Sequence, residues 1–350
     1  MHIRKLTLTR LLIILFITSV TIQACSIHLQ NRDFKNYLCE INVDGSGFRI
    51  LAPTHYSMLR YIISPNYRYK LQYASNDDVL LYTSEGVQTY NPVSKHLEPF
   101  WELDYHSNIN LNPHESLHFS YLNSSQALYR ISHSDNAPSL FVNSVVNYCG
   151  LPYSNQISVL LSGTMLKWTL SDDEFSSVVD LPANCTNAFY FSAIDKIVYV
   201  TPREFRLCDS LGENDSLLYS LNASSNSMRT FYPISTDGKF ITTNRFGADE
   251  HMILIDAASG NFTDLDHIEF AVNPLEYPLP FQISLNEDRN KLLYFDSTAL
   301  YLHDLDGGGK QTVLITSEDN YNLRNIHSAC INRAGTKIVF LCDLYRLTGD

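Results

Sequence analysis

The chain has 350 residues, of which 45% are hydrophobic and 18% charged, and its formal net charge is -12. This composition excludes intrinsic disorder, because so many apolar residues provide ample material for a core. The chain contains no cluster of five or more basic residues, which argues against a nucleic-acid partner, since phosphate binding needs concentrated Lys and Arg. The 22 Tyr and 18 Phe residues favour strands.

The first 25 residues have the layout of a secretory signal. Three basic residues, Arg4, Lys5 and Arg10, precede an apolar run over residues 11–22, and a short segment ending in Ala24 follows. The apolar run is too short to span a bilayer comfortably as a helix. The sequence therefore predicts export.

Residues 21–25, with the sequence Thr-Ile-Gln-Ala-Cys, resemble a bacterial lipobox. The resemblance implies that Cys25 is diacylated through its sulfur and becomes the mature N-terminus. We predict a lipoprotein signal peptide over 1–24, a tether over 25–35 and one domain over 36–350. The protein would be anchored at the periplasmic face of the outer membrane or at the cell surface. An ordinary signal peptide cut nearby and an uncleaved N-terminal anchor are the alternatives.

From about residue 36 onward, short alternating strands separated by turn residues predict an all-β fold. A unit of two hairpins recurs along this part of the chain. Its first hairpin is a hydrophobic strand, a polar turn and a second strand that begins with Lys or a small polar residue. The clearest copies cover residues 191–199, 234–241, 284–294 and 331–340, weaker ones cover 111–119 and 151–159, and 63–66 starts the series.

The second hairpin of the unit has a turn such as Asp44-Gly45 or Asp306-Gly307. Asp-Gly is favoured there because a tight turn needs positive φ angles, and alternating apolar residues flank it on both sides. Copies cover residues 37–51, 252–262 and 300–315, with a degenerate one at 88–95.

Successive first hairpins lie about 40 to 50 residues apart, which is the period of a four-stranded propeller blade. We therefore predict a β-propeller of about seven four-stranded blades. Six and eight blades are the alternatives, because residues 56–90 have room for an extra hairpin and residues 203–233 fit the unit poorly. The domain starts on a second hairpin near Asn36 and ends on a first hairpin near Cys342, so the two half-blades would join and close the ring.

The units resemble the TolB-type, WD40-like propeller repeat, in which a Ser-Pro-Asp-Gly-Lys hairpin precedes an Asp-Gly hairpin. Residues 236–239, Thr-Asp-Gly-Lys, are the closest match. The resemblance covers nearly all of the mature chain. It implies the fold rather than an activity, because the same repeat occurs in Tol-system proteins, in the propeller halves of serine peptidases and in other lipoproteins.

The sequence contains no motif of a known catalytic or cofactor site. Gly-x-Ser-x-Gly, His-Glu-x-x-His, the P-loop, Gly-x-Gly-x-x-Gly and the Asp-box are all missing. His114 and His118 would lie about 13 Å apart on a strand, too far for one metal ion. The segment from Asp304 to Gly307 is interpreted as a plain turn, because an EF-hand needs Glu where Ile315 stands. We predict that the protein has no catalytic residue, no cofactor and no bound metal, and that it is not an enzyme.

Acidic groups at 77–78, 172–174 and 287–288 lie in predicted turns. Paired carboxylates can perform glycoside hydrolysis, but adjacent turn carboxylates are more often only solvated.

Four aromatic residues, Trp101, Tyr105, Tyr153 and Trp168, are candidates for a binding surface. Packing in the blade cores is the favoured interpretation for them.

Six cysteines follow Cys25. All except Cys185 fall in strand-like runs, which predicts buried free thiols, although export would also permit disulfides. The sequence leaves that choice open for these residues: Cys39, Cys149, Cys185, Cys208, Cys330 and Cys342.

Two functions remain. The leading hypothesis is a monomeric, non-catalytic propeller, lipid-anchored in the bacterial envelope, that binds a protein, peptide or glycan on one rim. The rival is a propeller enzyme of the glycosidase or lyase type, whose site gathers residues from several blades at the central channel.

The anchoring hypothesis predicts a specific effect of Cys25→Ser. Removing the acylated sulfur should abolish labelling by a radioactive or clickable fatty acid and move the protein from the membrane fraction to the soluble fraction. Fatty-acid labelling followed by fractionation measures both effects, and unchanged fractionation would refute the anchor.

Overall fold

The computed structural model describes most of the chain after residue 34. Cys25 and the predicted tether up to residue 34 lie outside the described residues. Within the described part, no helix is long and apolar enough to cross a membrane. The described ranges are 35–54, 70–73, 77–83, 86–101, 117–122, 127–132, 138–151, 153–154, 156–169, 175–220, 231–246, 249–268, 283–296, 298–315 and 323–344.

These residues form 27 strands in seven antiparallel sheets. The sheet that contains both ends of the described chain is called the closing sheet, and in hydrogen-bonding order it consists of β2 (Arg49–Pro53), β1 (Lys35–Asn42), β27 (Lys337–Leu344) and β26 (Leu323–Ile331). In the other sheets the order along the chain is also the order in the sheet. They are β3 (Lys70–Tyr73), β4 (Val79–Thr83), β5 (Gly86–Asn91), β6 (His96–Trp101); β7 (Leu117–Leu122), β8 (Ala127–Ser132), β9 (Pro138–Val142); β10 (Val145–Gly150), β11 (Gln156–Leu161), β12 (Thr164–Thr169), β13 (Phe175–Asp180); β14 (Asn187–Phe191), β15 (Lys196–Val200), β16 (Glu204–Asp209), β17 (Ser216–Ser220); β18 (Phe231–Pro233), β19 (Lys239–Phe246), β20 (Asp249–Asp256), β21 (Asn261–Ile268); and β22 (Ile283–Leu285), β23 (Lys291–Phe295), β24 (Ala299–Asp304), β25 (Gly309–Ile315).

The sheets are arranged as the blades of a β-propeller. The first strands of neighbouring sheets contact one another, as β10 does with β14, β22 with β26, and β26 with β3. First strands therefore surround the axis, and the later strands of each sheet lie progressively further out. This arrangement confirms the all-β propeller predicted from the repeat.

The closing sheet joins the two ends of the domain. All eight residues of β1 pair with β27, from Lys35 opposite Leu344 to Asn42 opposite Lys337. The N-terminal segment supplies the third and fourth strands of this sheet and the C-terminal segment the first and second. The predicted joining of two half-blades is confirmed.

The predicted hairpins coincide with observed ones wherever they are described. Residues 203–220, which fit the repeat poorly, form an ordinary second hairpin of β16 and β17. The β7–β9 sheet has three described strands, and β7 begins where the predicted hairpin at 111–119 places its second strand. Residues 55–69 and 102–116, which include the start of the series at 63–66, lie outside the described residues, so the number of blades stays a prediction.

Asparagine and serine side chains organise the first-hairpin turns. The Asn332 Oδ1 atom accepts hydrogen bonds from the backbone N–H groups of Thr336 (2.8 Å) and Lys337 (2.9 Å). Asn286 accepts from the N–H of Lys291 at 2.9 Å in the same way. The polar residue and the Lys of the repeat thus mark the two ends of one turn.

Serine side chains link the first strands of neighbouring sheets. A first strand has no ladder partner on its axial edge, and an unpaired buried N–H group is costly. Ser328 on β26 accepts a hydrogen bond from the N–H of Leu71 on β3 at 2.8 Å, and Ser284 on β22 accepts from Ile331 on β26 at 3.1 Å. These bonds fix the closing sheet against both of its neighbours.

The core lies between the sheets as a series of hydrophobic clusters. The cluster between the β14–β17 and β18–β21 sheets contains Phe191, Phe205, Phe231 and Phe240. The Phe240 ring lies 5.1 Å from that of Phe205 and 5.0 Å from that of Phe231, in tilted and edge-on contact. Burying such rings is the main source of stability between blades.

Two phenylalanines of the β18–β21 sheet provide a matched test of this packing. Phe240 is fully buried, whereas Phe262 on β21 is 62% exposed. Phe240→Ala should lower the free energy of unfolding by roughly 3 to 5 kcal/mol, because it leaves a cavity among the rings. Phe262→Ala should cost less than about 1 kcal/mol. Urea unfolding of both variants measures the difference, and equal losses would contradict this description of the core.

Candidate functional site

The propeller forms a disc with two different faces. We call the hairpin face the one that carries the turns between first and second strands and between third and fourth strands. The opposite face carries the other turns and the connections between sheets, and we call it the connection face. Because β1 runs toward the hairpin face and β27 runs away from it, both ends of the described chain lie at the connection face.

Arg333 lies on the hairpin face in the turn between β26 and β27. Gly335, two residues later, has φ +66°, and a Cβ atom there would approach Asn286 of the β22–β25 sheet to 3.0 Å. The Lys291 Nζ atom donates a hydrogen bond to the Gly335 carbonyl at 2.9 Å. A glycine at this position therefore lets the Arg333 turn pack closely on the neighbouring turn.

Arg333 binds acidic residues from the sheets on both sides. Its guanidinium forms a two-pronged ion pair with the Glu287 carboxylate, in which Nε donates at 2.6 Å and Nη2 donates to the second oxygen. The backbone N–H of Arg333 donates to the Asp77 carboxylate at 3.2 Å, and its carbonyl accepts from the Glu287 N–H at 3.0 Å. Three sheets are therefore joined at one residue.

The Arg333 guanidinium also reaches across the axis. It lies 6.0 Å from the ring centroid of Tyr153, in the turn between β10 and β11. The β10–β13 sheet is not a neighbour of the closing sheet, so this cation–π contact crosses the axis, where a propeller has its central channel. We call Arg333, Glu287, Asp77, Tyr153 and Tyr73 the channel-mouth cluster.

The two tyrosines of the channel-mouth cluster are neutral. Burial raises the pKa of Tyr153 and of Tyr73 far above the usual value for a phenol, with further contributions from nearby groups such as Asp77. Tyr73 is 5% exposed, and Tyr153 is half-buried in the mouth. Each phenol remains a hydrogen-bond donor at any physiological pH.

The Glu287 carboxyl group is an anion at neutral pH. Its hydrogen bonds with Arg333 hold its pKa below the usual range. The pKa of Asp215 is likewise lowered by Arg206, and that of Asp209 by the Asn214 side chain. Where the pKa of a described carboxyl group is clearly displaced, the displacement is downward, whereas a general acid needs a raised pKa.

The structure describes only some of the acidic groups that the sequence places in turns. Asp77 and Glu287 lie in turns, as predicted, but both bind Arg333 rather than standing free in solvent. The group at 172–174 lies outside the described residues. The Asp304 carboxylate accepts the Asp306 N–H at 2.9 Å in the turn between β24 and β25.

The aromatic candidates whose backbone is described lie in different parts of the fold. Trp101 lies on β6, the fourth strand of its sheet, and Trp168 on β12, a third strand, whereas Tyr153 lies in an inner turn. Tyr105 lies outside the described residues. The same is true of His114 and of the side chain of His118. Among described residues, no group of three or more His, Cys, Asp and Glu side chains is placed to hold a metal ion.

Arg333 itself was missed by sequence reasoning. It stands in a predicted turn, where a basic residue is ordinarily solvated, and its partners Glu287 and Asp77 are 46 and 256 residues away. The available signal was an arginine and two acidic pairs at equivalent turns of consecutive repeats, because ring closure brings equivalent turns together.

No protein-family model and no curated protein sequence matches the chain. Solved structures do resemble it. The extracellular domain of a putative hybrid two component system from B. thetaiotaomicron has a TM-score of 0.51 and 9% identity over 82% of this chain and 39% of that one. This chain thus corresponds to about two fifths of that structure.

An oligogalacturonate lyase from Vibrio parahaemolyticus has a TM-score of 0.49 and 9% identity, covering 79% of this chain and 89% of the lyase. A putative TolB from Agrobacterium tumefaciens has a TM-score of 0.44 and 10% identity, covering 90% and 100%. At such identities the likeness concerns the fold alone. It assigns neither an activity nor a partner.

Proposed function

We propose that this chain is a non-catalytic binding propeller, anchored to the bacterial envelope by a lipid on Cys25, which binds a protein, peptide or glycan at the channel mouth on the hairpin face. The observation that carries the proposal is the channel-mouth cluster. Its Arg333 side chain is 32% exposed and its Glu287 side chain 45% exposed, so both present polar groups to a partner.

The residue types in the channel-mouth cluster favour recognition. Arginine and tyrosine are enriched among the few residues that dominate binding energy at protein interfaces. Arg333 and Tyr153 lie at the centre of the hairpin face, where a partner would bury them most completely. The Arg333 guanidinium, the Tyr153 phenol and the carboxylates together offer donors, acceptors and aromatic surface, while the buried Tyr73 supports them from below.

Backbone groups hold the turns of the cluster together. The Glu287 N–H donates to the Arg333 carbonyl at 3.0 Å, and the Arg333 N–H donates to the Asp77 carboxylate at 3.2 Å. A surface held by backbone hydrogen bonds between blades loses little conformational entropy when a partner binds. This favours a binding platform over a flexible recognition loop.

The proposed anchor would leave the channel mouth free. Both ends of the described chain lie at the connection face, so the tether from Cys25 would join the disc there. The tether reaches at most about 35 to 40 Å when extended. The hairpin face would point away from the attachment site and toward a partner in the envelope.

The enzyme hypothesis makes different demands. A glycosidase needs a carboxylic acid of raised pKa opposite a second carboxylate. Glu287 is instead held as an anion by Arg333. This observation supports binding over acid catalysis at the channel mouth.

Photo-crosslinking in the producing cells tests the proposal. A photoreactive amino acid at Ala334, exposed on the hairpin face, should give one adduct of defined mass. The same amino acid at Ser162, exposed at the connection face, should not give that adduct. Arg333→Ala should reduce the adduct roughly tenfold or more, because it removes the central contact.

Arg206→Ala is the matched control. Arg206 on β16 also binds two carboxylates, Glu204 on the same strand and Asp215 in the turn before β17, away from the axis. The adduct should survive this change. Equal crosslinking from Ala334 and Ser162 would contradict the proposal. So would release of unsaturated products from oligogalacturonate by the purified protein, which would favour the lyase alternative.

A further inference from the structure

Two cysteines meet at the junction that closes the ring. Cys39 lies on β1 and Cys342 on β27, and their Sγ atoms are 3.7 Å apart although the residues are 303 positions apart in the chain. Both side chains are fully buried, on the side of the closing sheet that packs against the β22–β25 sheet.

We propose that Cys39 and Cys342 form a disulfide bond that closes the propeller covalently. The proposal rests on the export assumed in the proposed function, because disulfides form and persist in oxidising compartments. The bond would join the third strand of the closing sheet to the second. It would restrain nearly the whole unfolded domain as one loop, and the effect of a crosslink grows with loop length.

The geometry requires a small local adjustment. Cys39 is opposite Phe340 and Cys342 is opposite Tyr37, so the two cysteines are diagonal neighbours across the pair. The two sulfur atoms must approach each other by roughly 1.7 Å to reach bonding distance. The two Cα atoms must approach by about 1 Å, because diagonal neighbours in a sheet are further apart than the Cα atoms of a disulfide.

The closing sheet provides freedom for this movement at Cys39. The pairing of β1 with β2 shifts register between Leu38 and Cys39, which marks a bulge at that point. A bulge interrupts the ladder and increases the local twist, so Cys39 can move with little loss of backbone hydrogen bonds. Cys39 also donates to the Tyr37 carbonyl at 3.9 Å, as Cys149 and Cys185 donate to the carbonyl groups of Phe231 (3.9 Å) and Asn187 (3.2 Å), so the distinguishing feature of the pair is the 3.7 Å between its sulfur atoms.

A thiol oxidoreductase of the envelope that carries a disulfide would oxidise the two cysteines. A Cys39 or Cys342 thiolate attacks the oxidant disulfide to give a mixed disulfide, and the second cysteine thiolate displaces the oxidant. Two electrons and two protons pass from the cysteine pair to the oxidant, which leaves as a dithiol. Because both thiols are buried in the finished sheet, the exchange takes place before β27 has fully docked beside β1.

Peptide mapping of the full chain from the cell envelope tests the proposal. The protein is denatured without reductant, its free thiols are alkylated, and it is digested with trypsin. We expect peptides 36–49 and 338–346 as one crosslinked species, two hydrogen atoms lighter than the separate thiol peptides together. Prior reduction should replace this species by two alkylated peptides. Cys149 should be alkylated without reduction, which makes it the internal control.

Refolding separates this proposal from the proposed function. The full chain, unfolded and reduced, is refolded in a mixture of oxidised and reduced glutathione. Formation of the Cys39–Cys342 crosslink as the main product is expected, and it tests the geometry independently of export or lipidation. Alkylation of Cys39 and Cys342 to the same extent as Cys149 after this refolding would overturn the proposal. A crosslink in refolded protein together with an unlipidated Cys25 in cells would contradict the proposed function and support the site.

The stability of variants provides a second readout. Reductant should lower the urea midpoint of the oxidised protein but leave that of Cys342→Ser unchanged, because that variant has no bond to reduce. Cys149→Ser should retain the full response to reductant. A Cys342→Ser variant that responds to reductant as strongly as the wild type would count against the bond.

Discussion

The structure depends on the pairing of β1 with β27. These strands come from opposite ends of the domain, and their eight-residue ladder converts a linear array of hairpins into a closed ring. Without it, β27 would present an unpaired edge, and such edges invite aggregation or strand exchange. Hydrophobic clusters flank the closing sheet on both sides, so its formation also buries the facing sides of the β22–β25 and β3–β6 sheets.

The channel-mouth cluster is a product of this closure. Arg333 lies in the first turn of the closing sheet, between Glu287 from the sheet that precedes it around the ring and Asp77 from the sheet that follows it. An open array would leave Glu287 beside Arg333 but would separate Asp77 from both. The proposed binding site and the stability of the fold therefore share one junction. The same junction holds the closely placed Cys39 and Cys342 thiols.

The fold could be predicted because its determinants are local. Short segments that recur along the chain specify its turns. Examples are the turn from Asn332 to Lys337 and the Asp44-Gly45 turn, in which the glycine has φ +82°. Even the joining of half-blades follows from which hairpin begins and which ends the domain. Residues 203–233 fit the repeat poorly in sequence, yet Gly212 supplies a positive φ angle of +79° in the turn between β16 and β17, as Gly260 does at +73° between β20 and β21.

The candidate site could not be predicted in the same way, because it is assembled from turns of separate blades. Tyr153 was noted only as an aromatic near the tryptophans, yet it meets Arg333 across the axis. Neither the register of one blade against another nor the width of the channel is encoded in a local pattern. Sequence reasoning places each turn on a face of the disc but does not bring particular turns together.

Native-state hydrogen exchange of the β1 amides tests most directly whether ring closure organises the molecule. If the β1–β27 pairing holds the disc together, the β1 amides that bond to β27 should exchange only through global unfolding, as slowly as those of β15 in the Phe-rich core. Exchange of β1 at the rate of exposed turns, while β15 stays protected, would contradict this account, because the ends would then separate without consequence for the other sheets.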